Sequence, residues 1–573
     1  MVRNDAKGTS SQAFRTFCAR YFPAVNSTRH SLWAFALALL PVLAVAQTVD
    51  PNADPVRISG ALGGTLSGYR MNGINARQQP LGYSLSGTLN LSIYGWNLPF
   101  SVAISRQGST FSQPFTRFGV SPEYKWVKLH AGHRNMRFSE FTLNNVTFLG
   151  GGVELRPKAF RFSAMYGMLQ PAQRADENRY GVAQYKRMGY GALLGLGKKN
   201  TFDLTFFRAE DDVRSLPLLD SLQRLTPQAS TTIGLRSRVQ FAKDRLVLDA
   251  DIAVGAYTRD LNAPRLDPDL YTDRPIVGEL GFNYASNVAG AGAVALDYVK
   301  DKFTTGVQYR LVQPGFRTLG ANYLLSDVEQ ITLRTAFPLA KDKLQLSGQF
   351  GVQRNNLGDR RFAGTARNIG SANVAYRPST RVSFNLNYAN FSVYQTLLLD
   401  TLFADSVLID QVNHQVNLAT LYQYGDAKRQ HSWSLMTGYQ QLTDRSDGPT
   451  DLGNRLLNLN LQYQLRWLAS RWGLVLGANY NDYSALLTTN ERYGATVGAT
   501  RALKQDKLLL RLTHTWNRSQ LPDRTDDIHS TNFMLNYRIS TKHSILLSAG
   551  NIRREGLQAF TETRGTIGYR MRF

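Results

Sequence analysis

The chain has 573 residues, of which 19% are charged and 11% aromatic, with one cysteine and a formal charge of +24. Apart from one run near the start, no stretch reaches the ~20 apolar residues of a membrane helix, which excludes a helical membrane protein; a lone cysteine excludes a disulfide framework. Modestly negative mean hydropathy alongside 27 Tyr and 29 Phe suits a barrel in which half of each strand faces water.

In chain order, the first feature is the apolar run Leu32–Leu43, preceded by Arg15, Arg20 and Arg29 and followed by Ala44-Val45-Ala46. That is an n-region, an h-region and a small-x-small cleavage site, and it predicts a signal peptide over 1–46 with Gln47 as the new N-terminus. Its removal takes away five basic residues and one acid, so +24 falls to +20, and Cys18 goes with it. Residues 47–55 are then a short leader before a strand near Val56, and 56–573 is read as a single barrel. An exported chain without a disulfide needs another source of stability, which a closed hydrogen-bond ladder supplies.

From there the chain alternates apolar and polar residues with the period of two that a strand requires. Tyr83, Leu85, Leu89, Leu91 and Ile93 alternate with Ser84, Ser86, Thr88, Asn90 and Ser92. The pattern returns at Ile233–Phe241, Leu246–Val254, Ile331–Phe337, Leu344–Val352, Val382–Tyr388, Leu457–Trp467, Leu508–Leu512 and Phe533–Tyr537. Short basic turns occur at Ala242–Arg245, Ala340–Lys343, Arg377–Thr380, Leu468–Arg471, Lys504–Lys507 and Ser540–Lys542. Longer polar connections are expected at Glu210–Ser230, Arg259–Arg274, Ser392–Asp410, Thr443–Gly453 and Arg518–Ile528. Short turns on one side and long loops on the other are the asymmetry of an outer-membrane barrel. The fold class is therefore all-β, a single large antiparallel transmembrane β-barrel of about 26 strands, roughly 22 to 28 because boundaries read from one sequence are soft.

Two segments break the pattern. Pro114–Gly152 alternates weakly and is read as holding a short helix or an inward-folded loop; its Gly150–Gly152 run eases close packing or a bulge. Ser392–Asp410 is unusually apolar, with Leu397–Leu399, Leu402, Phe403 and Val407–Ile409, and suits an inward constriction or a partner-docking surface. The last strand carries Ile567, Tyr569, Met571 and Phe573 on one parity, which predicts the terminal signal that barrel-assembly machinery reads.

Four phrases, Phe118–Trp126, Phe148–Leu155, Phe162–Gly167 and Tyr388–Ser392, resemble a poorly characterised family of large outer-membrane β-barrels of Bacteroidota. The resemblance implies location in a Gram-negative outer membrane and the barrel fold, and it brings no catalytic role.

If the apolar parity faces lipid, the opposite parity places Arg161, Arg236, Arg238, Arg310, Arg334, Arg466, Arg511, Arg538, Arg570 and Arg572 in the lumen. Glu154, Asp203, Asp249, Asp251, Glu279 and Asp297 share that face. The basic excess favours anions, while cross-strand pairing of the same charges would simply stiffen a wet wall. His130 and His133, three apart on a strand, point to opposite faces and make a poor chelating pair; His414 and His514 fall on the lipid parity. Asp444–Asp451 and Asp523–Asp527 lack the spacing of a calcium loop and are expected as solvated loop tips. Trp96, Trp126, Trp433, Trp467, Trp472 and Trp516 suit a girdle at the membrane–water interface. No catalytic motif, phosphate-cradling loop or nucleic-acid-binding motif appears, so neither catalysis, nor a metal or cofactor, nor a nucleic-acid partner is expected. The expected function is a pore, or the membrane component of a transport or export system. The alternative is a non-transporting anchor that presents loops to a partner. Partners expected are outer-membrane lipid and lipopolysaccharide, the barrel-assembly machinery, and an accessory protein that plugs or caps the barrel.

Overall fold

The computed structural model describes residues 56–93, 96–106, 117–174, 183–216, 225–266, 282–359, 363–397, 409–445, 453–486 and 488–573. The expected signal peptide and leader lie outside them. Almost all of these residues belong to one compact unit, Ile58–Leu91 with Trp96–Phe573; of the other unit, Met1–Arg57 with Ser92–Gly95, only a few residues are described.

Alternation makes every described segment with that pattern a strand. The first are β1 (Val56–Asn72), β2 (Leu81–Ile93), β3 (Trp96–Arg106), β4 (Arg117–Val120), β5 (Glu123–Tyr124), β6 (Val127–Arg137) and β7 (Asn144–Leu155). Next come β8 (Phe160–Gln170), β9 (Lys186–Leu196), β10 (Thr201–Asp212), β11 (Ala229–Phe241), β12 (Leu246–Thr258), β13 (Ser286–Lys300) and β14 (Phe303–Val312). The wall continues with β15 (Val328–Leu339), β16 (Leu344–Asn355), β17 (Ala363–Tyr376), β18 (Val382–Leu397), β19 (Asp410–Gly425), β20 (Arg429–Asp444) and β21 (Asn454–Trp467). It ends with β22 (Trp472–Ala485), β23 (Thr488–Leu503), β24 (Leu508–Gln520), β25 (Thr525–Arg538), β26 (His543–Glu555) and β27 (Phe560–Arg572).

Each strand pairs antiparallel with its chain neighbours, and β27 returns to β1 in the register Leu62↔Met571. The seam is closed by Gly60 and Phe573, whose backbone N–H and C=O groups bond reciprocally at 2.8 and 3.1 Å. β4 and β5 both pair with β3 and with β6, so they are two halves of one stave. The break falls at Ser121-Pro122, where proline has no N–H to give the ladder. The result is a closed barrel of 26 staves with no free edge. Strands ~4.8 Å apart and tilted ~40° close at this number into a wall on the order of 50 Å across.

Connections sort by end. On one end lie the short turns, and three of them share a geometry. Ala242-Lys243-Asp244, Ala340-Lys341-Asp342 and Lys504-Gln505-Asp506 all hold positive φ, from 51° to 68°. Each is closed by an i to i+3 backbone bond of 3.2–3.3 Å. Positive φ at both central residues matches the twist of the flanking strands, and Asp tolerates it better than most residues. The Asp of each turn reaches a basic residue of the preceding hairpin: Lys199 to Asp244, Lys302 to Asp342, Arg471 to Asp506. Exposed pairs of this kind contribute ~0–1 kcal/mol, so the ladder and not the clasps holds the wall. On the β19–β20 turn, Asp426 accepts the N–H groups of Lys428 and Arg429 at 2.7 Å each. Those bonds hold its carboxyl below the usual aspartate range.

The opposite end carries the longer connections, although β22–β23, β24–β25 and β26–β27 join there through only two to four residues, and two expected loops are corrected. Arg518–Ile528 is not a long loop: β24 runs to Gln520 and β25 starts at Thr525, leaving a four-residue turn. Ser392–Leu397 is strand; the rest of that apolar segment, 398–408, lies outside the described residues. Strand hydrogen bonding extends both ladders past the point where polar composition suggests a loop.

The outward face is the apolar parity. In β10, Phe202 and Leu204 are 52% and 53% exposed while Asp203, Thr205 and Phe207 between and beyond them are buried. In β21 this band runs from Leu457 to Trp467, ~33 Å along the strand and ~25 Å in height at the usual tilt. Near the short turns the outward face carries aromatic neighbours: Tyr298–Phe303–Phe337, Tyr376–Phe384, Trp433–Tyr463 with ring centres 4.6 Å apart, and His543–Tyr569.

Candidate functional site

The inner face is where this barrel departs from an empty tube. Among the described residues, two connections from the long-loop end fold inward: Phe138–Leu143 between β6 and β7, and Gln313–Asp327 between β14 and β15. Pro114–Gly152 is thus partly the inward loop expected, with no helix among its described residues, 117–152; the larger second loop carried no signal of its own in the sequence.

The β6–β7 loop is tight and apolar. Phe138 donates its N–H to Leu143 O at 2.8 Å, and the Ser139 hydroxyl oxygen accepts from the Phe141 N–H and the Thr142 hydroxyl. Phe138, Phe141, Thr142 and Leu143 are fully or almost fully buried. Phe138 and Leu143 join Met136, Phe148, Met165, Leu193, Phe207 and Leu319 in one apolar cluster; Phe141 packs in a second with Ala253, Ala291, Val312 and Phe316. A strand wall this wide buries little by itself, so these clusters are the barrel's hydrophobic core.

The two loops lock to each other and to the wall. The Thr318 hydroxyl donates to Thr142 O at 3.1 Å, and the Asn144 N–H donates to Gly320 O at 2.8 Å. Leu319 N–H donates to the Ser230 hydroxyl oxygen of β11 at 3.0 Å. Glu140 is held twice, its N–H donating to Asp251 of β12 and its carboxylate pairing with Arg310 of β14. The Arg310 guanidinium also lies 5.4 Å above the Phe141 ring, which meets Phe316 edge-on. All of these contacts fall on the wall from β6 to β14. Six and fifteen residues form a side plug in a lumen tens of ångströms wide, far too little to fill it.

The arginines of the inner parity divide accordingly. Those of β8, β11, β14 and β15 are paired: Arg161 with Asp203 at 2.6 Å, Arg238 with Asp249 at 3.3 Å, Arg334 with Asp297 at 2.6 Å, and Arg310 with Glu140 of the plug. Arg236 sits across the ladder from Asp251. Arg466, Arg511, Arg538 and Arg570 form no ion pair among the described residues. They sit toward the short-turn end and share cross-strand rows. Arg466 lies opposite Gly473, Gly473 opposite Thr500, and Thr500 opposite Arg511. Arg538 lies opposite Ser544, which lies opposite Arg570. These rows put two arginines within ~10–15 Å of each other across a wall of Ser, Thr, Asn and Gln.

Other candidates fall elsewhere. His130 is buried, bonded to the Ser121 hydroxyl at 2.9 Å and to Glu154 at 2.8 Å, with Arg156 also on Glu154. His414 stacks on Tyr388, and His514 bonds Thr531 beside His529. Glu279 and most of Asp444–Asp451 lie outside the described residues. The Asp523–Asp527 cluster is a solvated tip only at Asp523: Asp526 is fully buried between Arg524 and Arg554, and Asp527 is paired with Arg518 and bonded by Trp516. Arginine side chains neutralise Asp526 and Asp527, and no group able to hold a metal occurs among the described residues. At the C-terminus, Ile567 and Tyr569 are on the exposed outward face, on the same parity as Met571, with Phe573 at the seam.

No family model matches the chain, and no curated protein matches it. Among solved structures it is similar to Acinetobacter baumannii OccAB3, at 12% identity over 65% of this chain and 98% of that one, with a TM-score of 0.30. It is similar to the translocation pore of the P pilus usher PapC, at 12% identity over 90% and 99% of the two chains, with a TM-score of 0.36. Pseudomonas aeruginosa OccK7 is 11% identical over 91% and 100%, with a TM-score of 0.29. Scores this low carry no argument; the barrel rests on its own strand pairing.

Proposed function

We propose that this chain is an outer-membrane channel with an off-centre plug and an anion-favouring conduit. The observation that carries it is the division of the inner face. One side of the lumen is packed with Phe138–Leu143 and Gln313–Asp327, and the other keeps a polar wall with unpaired Arg466, Arg511, Arg538 and Arg570. Fixed positive charge on a wet, low-dielectric wall raises the local concentration of anions and favours their passage.

Placement in the membrane is supported by the ~25 Å outward apolar band, the aromatic neighbours near the short turns, and the closed ladder that lets strands cross lipid. The apolar run before Ala44-Val45-Ala46 supports export through a cleaved signal peptide in a Gram-negative cell. The short-turn end is then periplasmic. Lipopolysaccharide meets the outward face, and the barrel-assembly machinery reads Tyr569 and Phe573. Kinship with the Bacteroidota barrels rests on the four sequence phrases alone. The barrel acts as a conduit and performs no catalysis.

The test is conductance in planar bilayers. Purified protein, with the folded form verified by heat-modifiable migration in gels, gives large currents with a reversal potential that favours chloride over potassium in a salt gradient. Replacing Arg466, Arg511, Arg538 and Arg570 together by Gln moves that potential toward cation preference, more at low salt, where screening is weak. Folded protein that passes no current would end the channel reading.

A further inference from the structure

Above the plug, toward the long-loop end, lies a cavity of about 520 Å³ bounded by the Gln313–Asp327 loop on one side and by β16 and β17 on the other. Its size is that of a small-molecule pocket. Phe316, Leu319 and Leu324 form an apolar floor, and Arg187, Arg317 and Arg367 supply charge. None of the lining residues is acidic.

The three arginines are not equivalent. Arg187 is already neutralised by Asp211, bound through two oxygens at 2.7 and 3.0 Å. Among the described residues Arg317 has only a neutral partner: its guanidinium donates to the Tyr257 hydroxyl at 3.0 Å and lies 5.2 Å above that ring. This fixes the group without cancelling its charge. Arg367 lies opposite Gln353 in the ladder and forms no ion pair among the described residues. Between them, Asn355 accepts the Thr365 N–H through its side-chain oxygen at 2.7 Å, which leaves its amide N–H groups as donors. The nearest loop carboxylate, Asp327, is buried and accepts the Leu357 N–H, turned away from the cavity. Glu329 pairs with Arg354 on the opposite parity of the wall.

We propose that this cavity binds a small organic anion, its anionic oxygens on Arg317, Arg367 and Asn355 and its hydrocarbon part on Phe316, Leu319 and Leu324. The inference deepens the channel reading and rests on it: the pocket faces the mouth through which solute enters, so it is a capture site ahead of the conduit. Two uncompensated guanidinium groups beside an apolar floor suit a monocarboxylate with a ring or short chain. Such a pocket offers less to a fully hydrated inorganic anion, which gains nothing from the floor.

The experiment uses the full-length barrel in detergent, with benzoate and inorganic phosphate as probes in calorimetric titration. Benzoate binds saturably. Arg367→Gln, on an exposed wall position, and Arg317→Gln each weaken it about ten-fold or more, the loss expected for one charge-assisted contact. Arg553→Gln, on β26 outside both the pocket and the conduit wall, where the side chain pairs with Glu555, leaves benzoate binding as in the wild type. No saturable benzoate binding, or binding that Arg367→Gln and Arg317→Gln do not change, overturns the proposal. Phosphate bound as tightly as benzoate overturns the organic-anion assignment. Benzoate binding in a protein that passes no current leaves the pocket standing and removes the channel reading instead, so the two fail separately.

Discussion

At the residue scale, the inner wall shows which positions the fold cannot change. Gly150 in β7 lies against Gly167 in β8, and a Cβ built on Gly150 would come within 2.5 Å of the Gly167 Cα. The obstacle is backbone, which cannot swing away as a side-chain end can. Overpacking against it costs at least ~1–3 kcal/mol. Gly150→Val should therefore abolish most of the heat-modifiable form, while Gly565→Ala, with nothing within 4 Å, should leave it unchanged. Equal folded yields for the two variants would remove the close-packing role. The Gly150–Gly152 run advertised that role in the sequence. The burial of Asp526 was not legible: Arg524 lies two residues away, but Arg554, the second partner, is 28 residues off and reaches it only through the β25–β26 register.

At the element scale, the plug loops differ from the turns in what holds them. Turns keep their shape by local backbone bonds, whereas Gln313–Asp327 is held by Thr142, Ser230, Tyr257 and Gly290, residues distant in sequence. Replacing 314–326 by a short Gly-Ser turn should leave the ladder closed and raise single-channel conductance by a modest fraction, as expected for a plug on one side of the lumen, read in bilayers after checking heat-modifiable migration. Unchanged conductance would mean that the loop does not obstruct the conduit. Buried loop-to-loop hydrogen bonds contribute ~1 kcal/mol each. The apolar packing of Phe138, Phe141, Phe316 and Leu319 contributes more, at ~1.5–3 kcal/mol per fully buried side chain. Phe316→Ala should thus loosen the plug more than Thr318→Val, measured as faster proteolysis of the loop in the folded barrel; the reverse order would put the polar lock in charge.

At the scale of the whole molecule, closure is the source of stability. Twenty-six staves leave no edge, and the last bond of the ring is made by Gly60 and the terminal Phe573. Gly60 has no room for a Cβ beside the Thr88 carbonyl, so the seam is closed by glycine on one side and an aromatic on the other. Phe573→Ala should lower the folded fraction recovered from cells while leaving detergent refolding of the purified chain close to wild type. That split follows if the residue is read by the assembly machinery; an equal loss in both would make it a packing residue of the seam only.

Strand identity, inward and outward parity and the sorting of short turns from long connections were legible in the sequence. The alternation of Leu457–Trp467 and the Ala-Lys-Asp turns encode them locally, through side-chain direction and backbone twist. The count of about 26 strands followed from the same local signals. Tertiary structure alone decided where the lumen is filled. Phe138–Leu143 and Gln313–Asp327 have no shared pattern, and their meeting depends on a curved wall that brings β6 and β14 to face one space. For the same reason parity alone grouped ten arginines, whereas the three-dimensional arrangement separated the paired ones of β8, β11, β14 and β15 from Arg466, Arg511, Arg538 and Arg570, which form no ion pair among the described residues. Ion pairing depends on distances of 3–4 Å between strands far apart in sequence, and a period of two carries no such information.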